Sequence, residues 1–162
     1  MASTWAERLF QQSQKLLEKE ETKKEAIAVY QKAMAADHEA AALAGVLPLF
    51  DPIPYVPKGF FNAICWDGSA HGYAADVTEA CERVVNFNPH DGNQHDNRGL
   101  AKALTGDIAG AIEDFQIYIA QTTDEARKAQ RQGWVNALRE GKNPFTREEL
   151  EKLRTQGSGE MR

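Results

Sequence analysis

Apolar positions along the chain recur at intervals of three and four. Ile108, Ala111, Ile112, Phe115 and Ile119 fall on one stripe, and Trp134, Ala137 and Leu138 on another. This is the spacing of amphipathic helices that bury one face. No stretch keeps up the alternation of a half-buried strand. The stripes come with a recurring start signal, Thr or Asp followed three residues later by Glu or Gln. It occurs at Thr4/Glu7, Thr22/Glu25, Asp76/Glu79, Asp91/Gln94, Thr122/Glu125 and Thr146/Glu149. In such a box the first side chain accepts a bond from a free N–H of the opening turn, and the later one reaches back. Stripes and boxes together predict helices over 5–19, 23–46, 60–70, 77–88, 93–105, 108–120, 123–140 and 147–155. Short connections carry Gly72, Gly106 and Gly141. The predicted fold class is all-α.

One segment breaks the pattern. LPLFDPIPYVPKGFF, residues 47–61, holds prolines at 48, 52, 54 and 57, which exclude a continuing helix and favour extended backbone. Leu49, Phe50, Ile53, Tyr55 and Val56 give it apolar surface, so it reads as an arm packed along the helices. A proline-rich docking motif for an aromatic groove is the other reading.

Composition narrows the class. With 162 residues, 42% of them hydrophobic and 27% charged, the chain can build a core and is not a disordered tail. A net charge of −5 argues against nucleic acid or an anionic membrane as the main ligand. Ala40 to Phe50 is the longest uncharged apolar run, too short to span a bilayer. The opening MASTWAERLF lacks a basic region followed by an apolar one, so no secretory leader is expected. Two cysteines are too few for a disulfide framework. The expectation is a soluble, cytoplasmic protein in a reducing compartment.

The strongest organisational signal is self-similarity at 34 residues. A shift of 34 sets Cys65 on Gly99, Val77 on Ala111, Cys81 on Phe115 and Val84 on Tyr118. In NRGLAKALTGDIAGAIEDFQIYI, Gly99 is the expected close contact between helices and Gly106-Asp107 the turn. FNAICWDGSAHGYAADVTEACERVVNFNP keeps a turn glycine, Gly72, and a closing proline, Pro89. EAIAVYQKAMAAD is a degenerate copy, with Ala26, Tyr30 and Ala33 in register with Val77, Cys81 and Val84 at an offset of 51. That offset makes the proline arm an insertion. A 34-residue unit of two helices resembles the tetratricopeptide repeat (TPR) family, over roughly residues 5–120. The segments ICWDGSAHGYAADVTEACERVVNFNP, RGLAKALTGDIAGAIEDFQ and EGKNPFTREEL are also similar to a C-terminal TPR module of bacterial multidomain signalling or regulatory chains.

The resemblance implies a TPR-like helical-hairpin solenoid forming one domain over 1–155. Its parts are a degenerate helix pair (5–46), the proline arm (47–59), repeats at 60–89 and 93–122, and capping helices at 123–155. Residues 156–162 form a flexible tail. Stacked pairs bury a continuous seam and offer a concave face lined by the first helix of each pair. Projected onto this chain, that face selects Asn62, Trp66 and Ser69 from one unit and Asn93, Asp96, Asn97 and Leu100 from the next. An indole among amides and a carboxylate suits recognition of a peptide or helix. The expected function is a protein–protein interaction module. Its partner would be a protein or peptide with a neutral or basic segment, and neither nucleic acid nor membrane. A structural or self-assembling end-domain, with the groove filled by its own proline arm, is the alternative. Relatives that clamp a chaperone's terminal carboxylate use Lys, Asn and Arg where this chain has Gln11, Lys15, Ala63, Asn93 and Asn97, so that specificity is not implied.

Catalytic chemistry finds little support, and no enzyme activity, metal or cofactor is expected. Cys65 and Cys81 fall at core positions and read as small apolar packing residues rather than reactive thiols. PHDGNQHDN groups His90, Asp91, His95 and Asp96 but lacks a recognised ligand spacing. His71 reads as a surface turn residue. The basic residues between Arg127 and Arg154 alternate with acids and read as a solvated helix face.

Overall fold

The computed structural model describes residues 5–44 and 58–156. The chain forms α1 (Trp5–Leu17), α2 (Lys23–Ala44), α3 (Lys58–Ala70), α4 (Thr78–Phe87), α5 (Gly92–Thr105), α6 (Ile108–Gln121), α7 (Glu125–Arg139) and α8 (Arg147–Gln156). Short 3-10 turns at Glu20–Thr22 and Ala74–Asp76 lead into α2 and α4. No strand occurs among the described residues. Helices pair in chain order, α1 with α2, α3 with α4 and α5 with α6, and α3 and α4 both pack on α5. The result is a TPR-like solenoid of helical hairpins. α7 packs on α6, whereas α8 reaches back to α3. Most of the proline arm lies outside the described residues. Its last two, Lys58 and Gly59, already belong to α3.

The caps are made by side chains that the sequence pattern only partly picks out. Asp91 and Thr146 cap as predicted, accepting from the backbone N–H of Asn93 (2.9 Å) and Glu149 (3.2 Å). Asp107 and Asp124 cap α6 and α7 through the N–H groups of Gly110 and Arg127. Thr122 is thus two residues early, and its hydroxyl accepts from the Asp124 N–H. Thr22 and Asp76 do not cap: the Thr22 hydroxyl donates to the Leu16 carbonyl, and Asp76 accepts from Gln31. Any short oxygen side chain can fill the slot, so residue type alone shifts the boundary by a position or two.

Helix ends are more uniform. Gly72, Gly106 and Gly141 have φ of 89°, 94° and 72°, the left-handed region that glycine enters without a Cβ penalty. Each closes the same pair of bonds. The N–H groups of Tyr73, Asp107 and Lys142 donate to the carbonyls of Gly68, Lys102 and Ala137, and the glycine N–H groups donate to Ser69, Ala103 and Leu138. α7, within the stretch expected to hold capping helices, closes with the same glycine motif as α3 and α5. The turn glycine that ends α7 follows that of α5 by 35 residues, and Trp134 lies one step of 34 beyond Leu100 and two beyond Trp66.

Two apolar clusters share α3 as a common wall. The first joins Leu9 and Phe10 of α1, Ile27 and Tyr30 of α2, Phe60, Phe61, Ile64 and Cys65 of α3, and Val77 and Cys81. Ala26, Tyr30 and Ala33, the register positions of the degenerate copy, are all buried. The second holds Trp66 and Ala70 of α3 with Leu100, Ala111, Phe115, Trp134, Phe145 and Leu153. Ring pairs meet edge-on, as for Phe10 with Phe60 at 5.7 Å and Phe115 with Trp134 at 5.3 Å, the arrangement their quadrupoles favour.

Candidate partner-binding face

The first helices α3, α5 and α7 place side chains at intervals of 34 on one shared face. Asn62, Asp96 and Gln130 occupy one set of equivalent positions, and Trp66, Leu100 and Trp134 the next. Asn97 donates a hydrogen bond to the Asn62 side-chain oxygen. Asp96 accepts from Arg131 in a two-pronged pair, Nε at 2.9 Å and Nη2 at 2.7 Å. The third prong of the guanidinium donates to Gln130. Its carbon lies 4.4 Å from the Trp134 ring centre and 5.5 Å from those of Trp66 and Tyr118. Arg131 is only 1% exposed. A buried cation is tolerated here because a carboxylate pairs with it in fork geometry and aromatic faces replace part of its hydration.

α8 lies across the same face. Leu153 is fully buried in the second cluster. The Trp66 indole N–H donates to the Leu153 carbonyl at 3.2 Å, and the Arg154 guanidinium donates to the Ala70 carbonyl at 3.0 Å. Each helix thereby satisfies a last-turn carbonyl of the other, groups that have no partner within their own helix. At the opposite end, Glu149 accepts from the Trp134 indole (3.1 Å) and from Gln130 (2.7 Å).

Of the seven residues the sequence selects for partner contact, Asn62, Trp66, Ser69, Asp96, Asn97 and Leu100 are brought together and buried. Asn93 stands apart at the start of α5, half-buried and bonded to Asp91. The cover over Trp66 is made by α7 and α8; of the two covers expected, the N-terminal helices pack in the other cluster, and most of the proline arm lies outside the described residues. The sequence reading missed Gln130, Arg131, Trp134, Glu149 and Leu153. Trp134 was accessible through one further step of the 34-residue period. Arg131 was not: its neighbours in sequence are polar, and the reading of Arg127 to Arg154 as a solvated face is corrected by its burial.

The candidate chemical groups disperse. His95 presents one ring nitrogen to Asp114 and the other to the Pro89 carbonyl, both at 2.8 Å. Asp91 caps α5, Asp96 holds Arg131, and His90 is exposed. Among the described residues no three His, Cys, Asp or Glu side chains converge to hold a metal. His71 is not a free turn residue, since it joins the Asp67 carbonyl (2.7 Å) and the Glu20 carboxylate. That bond holds Glu20 below its usual range, while burial pushes Asp67 up against the pull of Lys23 at 3.1 Å. Asp114 is almost fully buried, which pushes its carboxyl up, but bonds from Arg98, His95 and Lys102 outweigh burial and hold it lowered.

The cysteines require a correction. Cys65 and Cys81 form a disulfide between α3 and α4, with Cα atoms 5.0 Å apart. They do sit at the small and large core positions, but a period that brings such positions face to face also brings two thiols within bonding reach. Bridged, neither sulfur is a nucleophile. Cysteine usage therefore gives no support to a reducing compartment. No helix among the described residues is long and apolar enough to cross a membrane.

No family model and no solved structure matches the chain. Over 92 residues it is 34% identical to tetratricopeptide repeat protein 36 of Bos taurus, covering 52% of this chain and 48% of that protein. The chain thus spans about half the length of the curated relative it matches. That relative is bovine, whereas the resemblance seen in the sequence points to bacterial chains.

Proposed function

We propose that this chain is a non-catalytic protein–protein interaction module of the TPR type, recognising a peptide or helix on the face formed by α3, α5 and α7. The observation that carries the reading is the row of Asn62, Trp66, Asp96 and Asn97 along successive first helices. Within the chain these groups are bonded to one another and to α7 and α8, Asn62 to Asn97, Asp96 to Arg131 and the Trp66 indole to the Leu153 carbonyl, so a partner would reach the Trp66 donor by taking the place of α8. The likeness to the bovine tetratricopeptide repeat protein supports the class. The surplus of acidic side chains favours a neutral or basic partner segment and disfavours nucleic acid and anionic membranes.

Affinity capture from lysate of the source organism tests the reading, using the wild-type chain beside a Trp66→Phe, Asn97→Ala double variant of matched thermal stability. Retention of a protein by wild type and its loss from the variant is the expected result. Equal retention by both places recognition elsewhere and overturns the assignment of the face. The second reading, a structural or self-assembling end-domain, is favoured by the closure of this face by α7 and α8. A concentration-dependent rise in sedimentation coefficient, with no partner captured, selects it.

A further inference from the structure

We propose that α8 is the resident occupant of a helix-binding groove, and that the groove's external partner is an amphipathic helix carrying the same contact face. That face is Glu149, Leu150, Leu153 and Arg154, with an aromatic side chain favoured at the Leu150 position. The proposal rests on reading the chain as an interaction module and names the partner of that module's face.

Four observations carry it. First, α8 departs from the pairing rule of the fold. α2, α4 and α6 pack on the helix before them, yet after α7 the segment 140–146 carries α8 onto α3, two first helices away. Second, its hold is that of a ligand: one fully buried leucine, with polar contacts at both ends supplied by groove side chains. Trp66 and Trp134 both spend their indole N–H on α8, and an equivalent helix would receive the same donors. Third, the fit is incomplete. A pocket of about 320 Å³, open to solvent on one side, lies beside Leu150 and is lined also by Ser69, Ala74, Leu104 and Thr105. The Ser69 hydroxyl is fully buried without a hydrogen-bond partner. A tyrosine in place of Leu150 supplies volume to that pocket next to Ser69. Fourth, the anchor before α8 is separate from α8. Phe145 packs 5.0 Å from the Trp134 ring and 6.3 Å from Phe115, so the helix can leave from Thr146 onward with that plug in place. A ten-residue helix is too short to persist alone in water, so α8 owes its helicity to docking.

A tethered occupant competes at an effective concentration on the order of 1 mM, so an external helix sees the intact chain as a weak binder. The test uses the full chain and a fluorescein-labelled, end-blocked peptide of residues 144–156, with a second peptide bearing Leu150→Tyr. Binding to wild type is compared with binding to full-length Leu153→Glu, whose α8 cannot bury its anchor. The expected result is a Kd for the variant at least about tenfold below that for wild type, tighter again for the tyrosine peptide. Adding Trp66→Phe to the variant should weaken both peptides by removing the indole donor. Should Leu153→Glu fail to fold, Arg154→Ala serves in its place, with hydrogen exchange of α8 confirming release. Equal binding to both chains, or none to a chain whose α8 is shown to be released, overturns the proposal. Dimers that form through exchange of α8 and resist the peptide assign the groove to a second copy and overturn it as well. A peptide that binds while lysate capture yields nothing leaves the groove standing and removes the module reading; the converse removes only the groove's proposed occupant.

Discussion

The two central helix pairs occupy equivalent positions in the 34-residue period and hold themselves together by different chemistry. In α3/α4 the positions at 61, 64, 68 and 80 are Phe, Ile, Gly and Ala; in α5/α6 the same positions, 95, 98, 102 and 114, are His, Arg, Lys and Asp. Where the first pair packs Phe61 and Ile64 into a cluster with α1 and α2, the second gathers three cationic or potentially cationic side chains around the buried Asp114. The reason is what covers each face. α1 and α2 lie over the first pair and exclude water, so its buried face is mainly apolar, and the cation buried there, Arg83, is paired with Glu79 and lies over the Phe61 ring. The second pair leaves the Arg98 and Lys102 side chains 16% and 21% exposed, enough for hydration to offset the cost of pairing them with a buried carboxylate. The contact between helices differs too. The first pair uses the Cys65–Cys81 disulfide. The second sets Gly99 against the Phe115 ring, where an added Cβ would come within 3.0 Å. A repeat register fixes which positions meet, and leaves open how they bind.

The comparison can be broken most severely by moving chemistry from one pair to the other. Ala80→Asp puts a carboxylate at the fully buried position equivalent to Asp114, beside Phe61 and Ile64, where the buried cation, Arg83, is already paired with Glu79. A loss of about 5 kcal/mol is expected from an uncompensated buried charge, measured by urea unfolding. Phe115→Ala comes next, opening a cavity at the centre of the second cluster for about 4 kcal/mol. An unchanged midpoint in that variant would show that the register is misassigned. Opening the disulfide releases a 16-residue separation and should cost about 3 kcal/mol. Hydrogen exchange after reduction should quicken in α3 and α4 before it does in α5 and α6; uniform quickening would mean that the bridge staples the whole solenoid. Gly99→Leu should cost about 2 kcal/mol through overpacking against Phe115.

The smallest effect sharpens the contrast through pH. Asp114 is held below its ordinary value, so its stabilisation is present in full above the unfolded carboxyl pKa of about 3.9 and is lost as pH falls through the lower folded value. The difference in Tm between wild type and Asp114→Asn should therefore be constant near neutrality and shrink only below about pH 4. A difference that shrinks between pH 6 and 5 would show that the carboxylate is not held in this way.

The helices were legible from the chain because stripe, glycine and start signal each act within a few residues. Predicted bounds such as 108–120 and 147–155 differ from the observed ones by a residue or so. Gly99 as a close contact was legible as well, because its partner Phe115 sits at the matching place one helix later. Arg131 was illegible, since its burial depends on Asp96, 35 residues away, and on rings from three helices. The sequence by itself therefore determined the local elements and the period that stacks them, which depend on short-range hydrogen bonding and side-chain spacing. Only the tertiary structure decided that Trp66, Asp96 and their neighbours lie beneath α7 and α8, and that two thiols become a bond. Burial and covalent pairing are set by what the rest of the chain brings to a surface, and no window of sequence contains that.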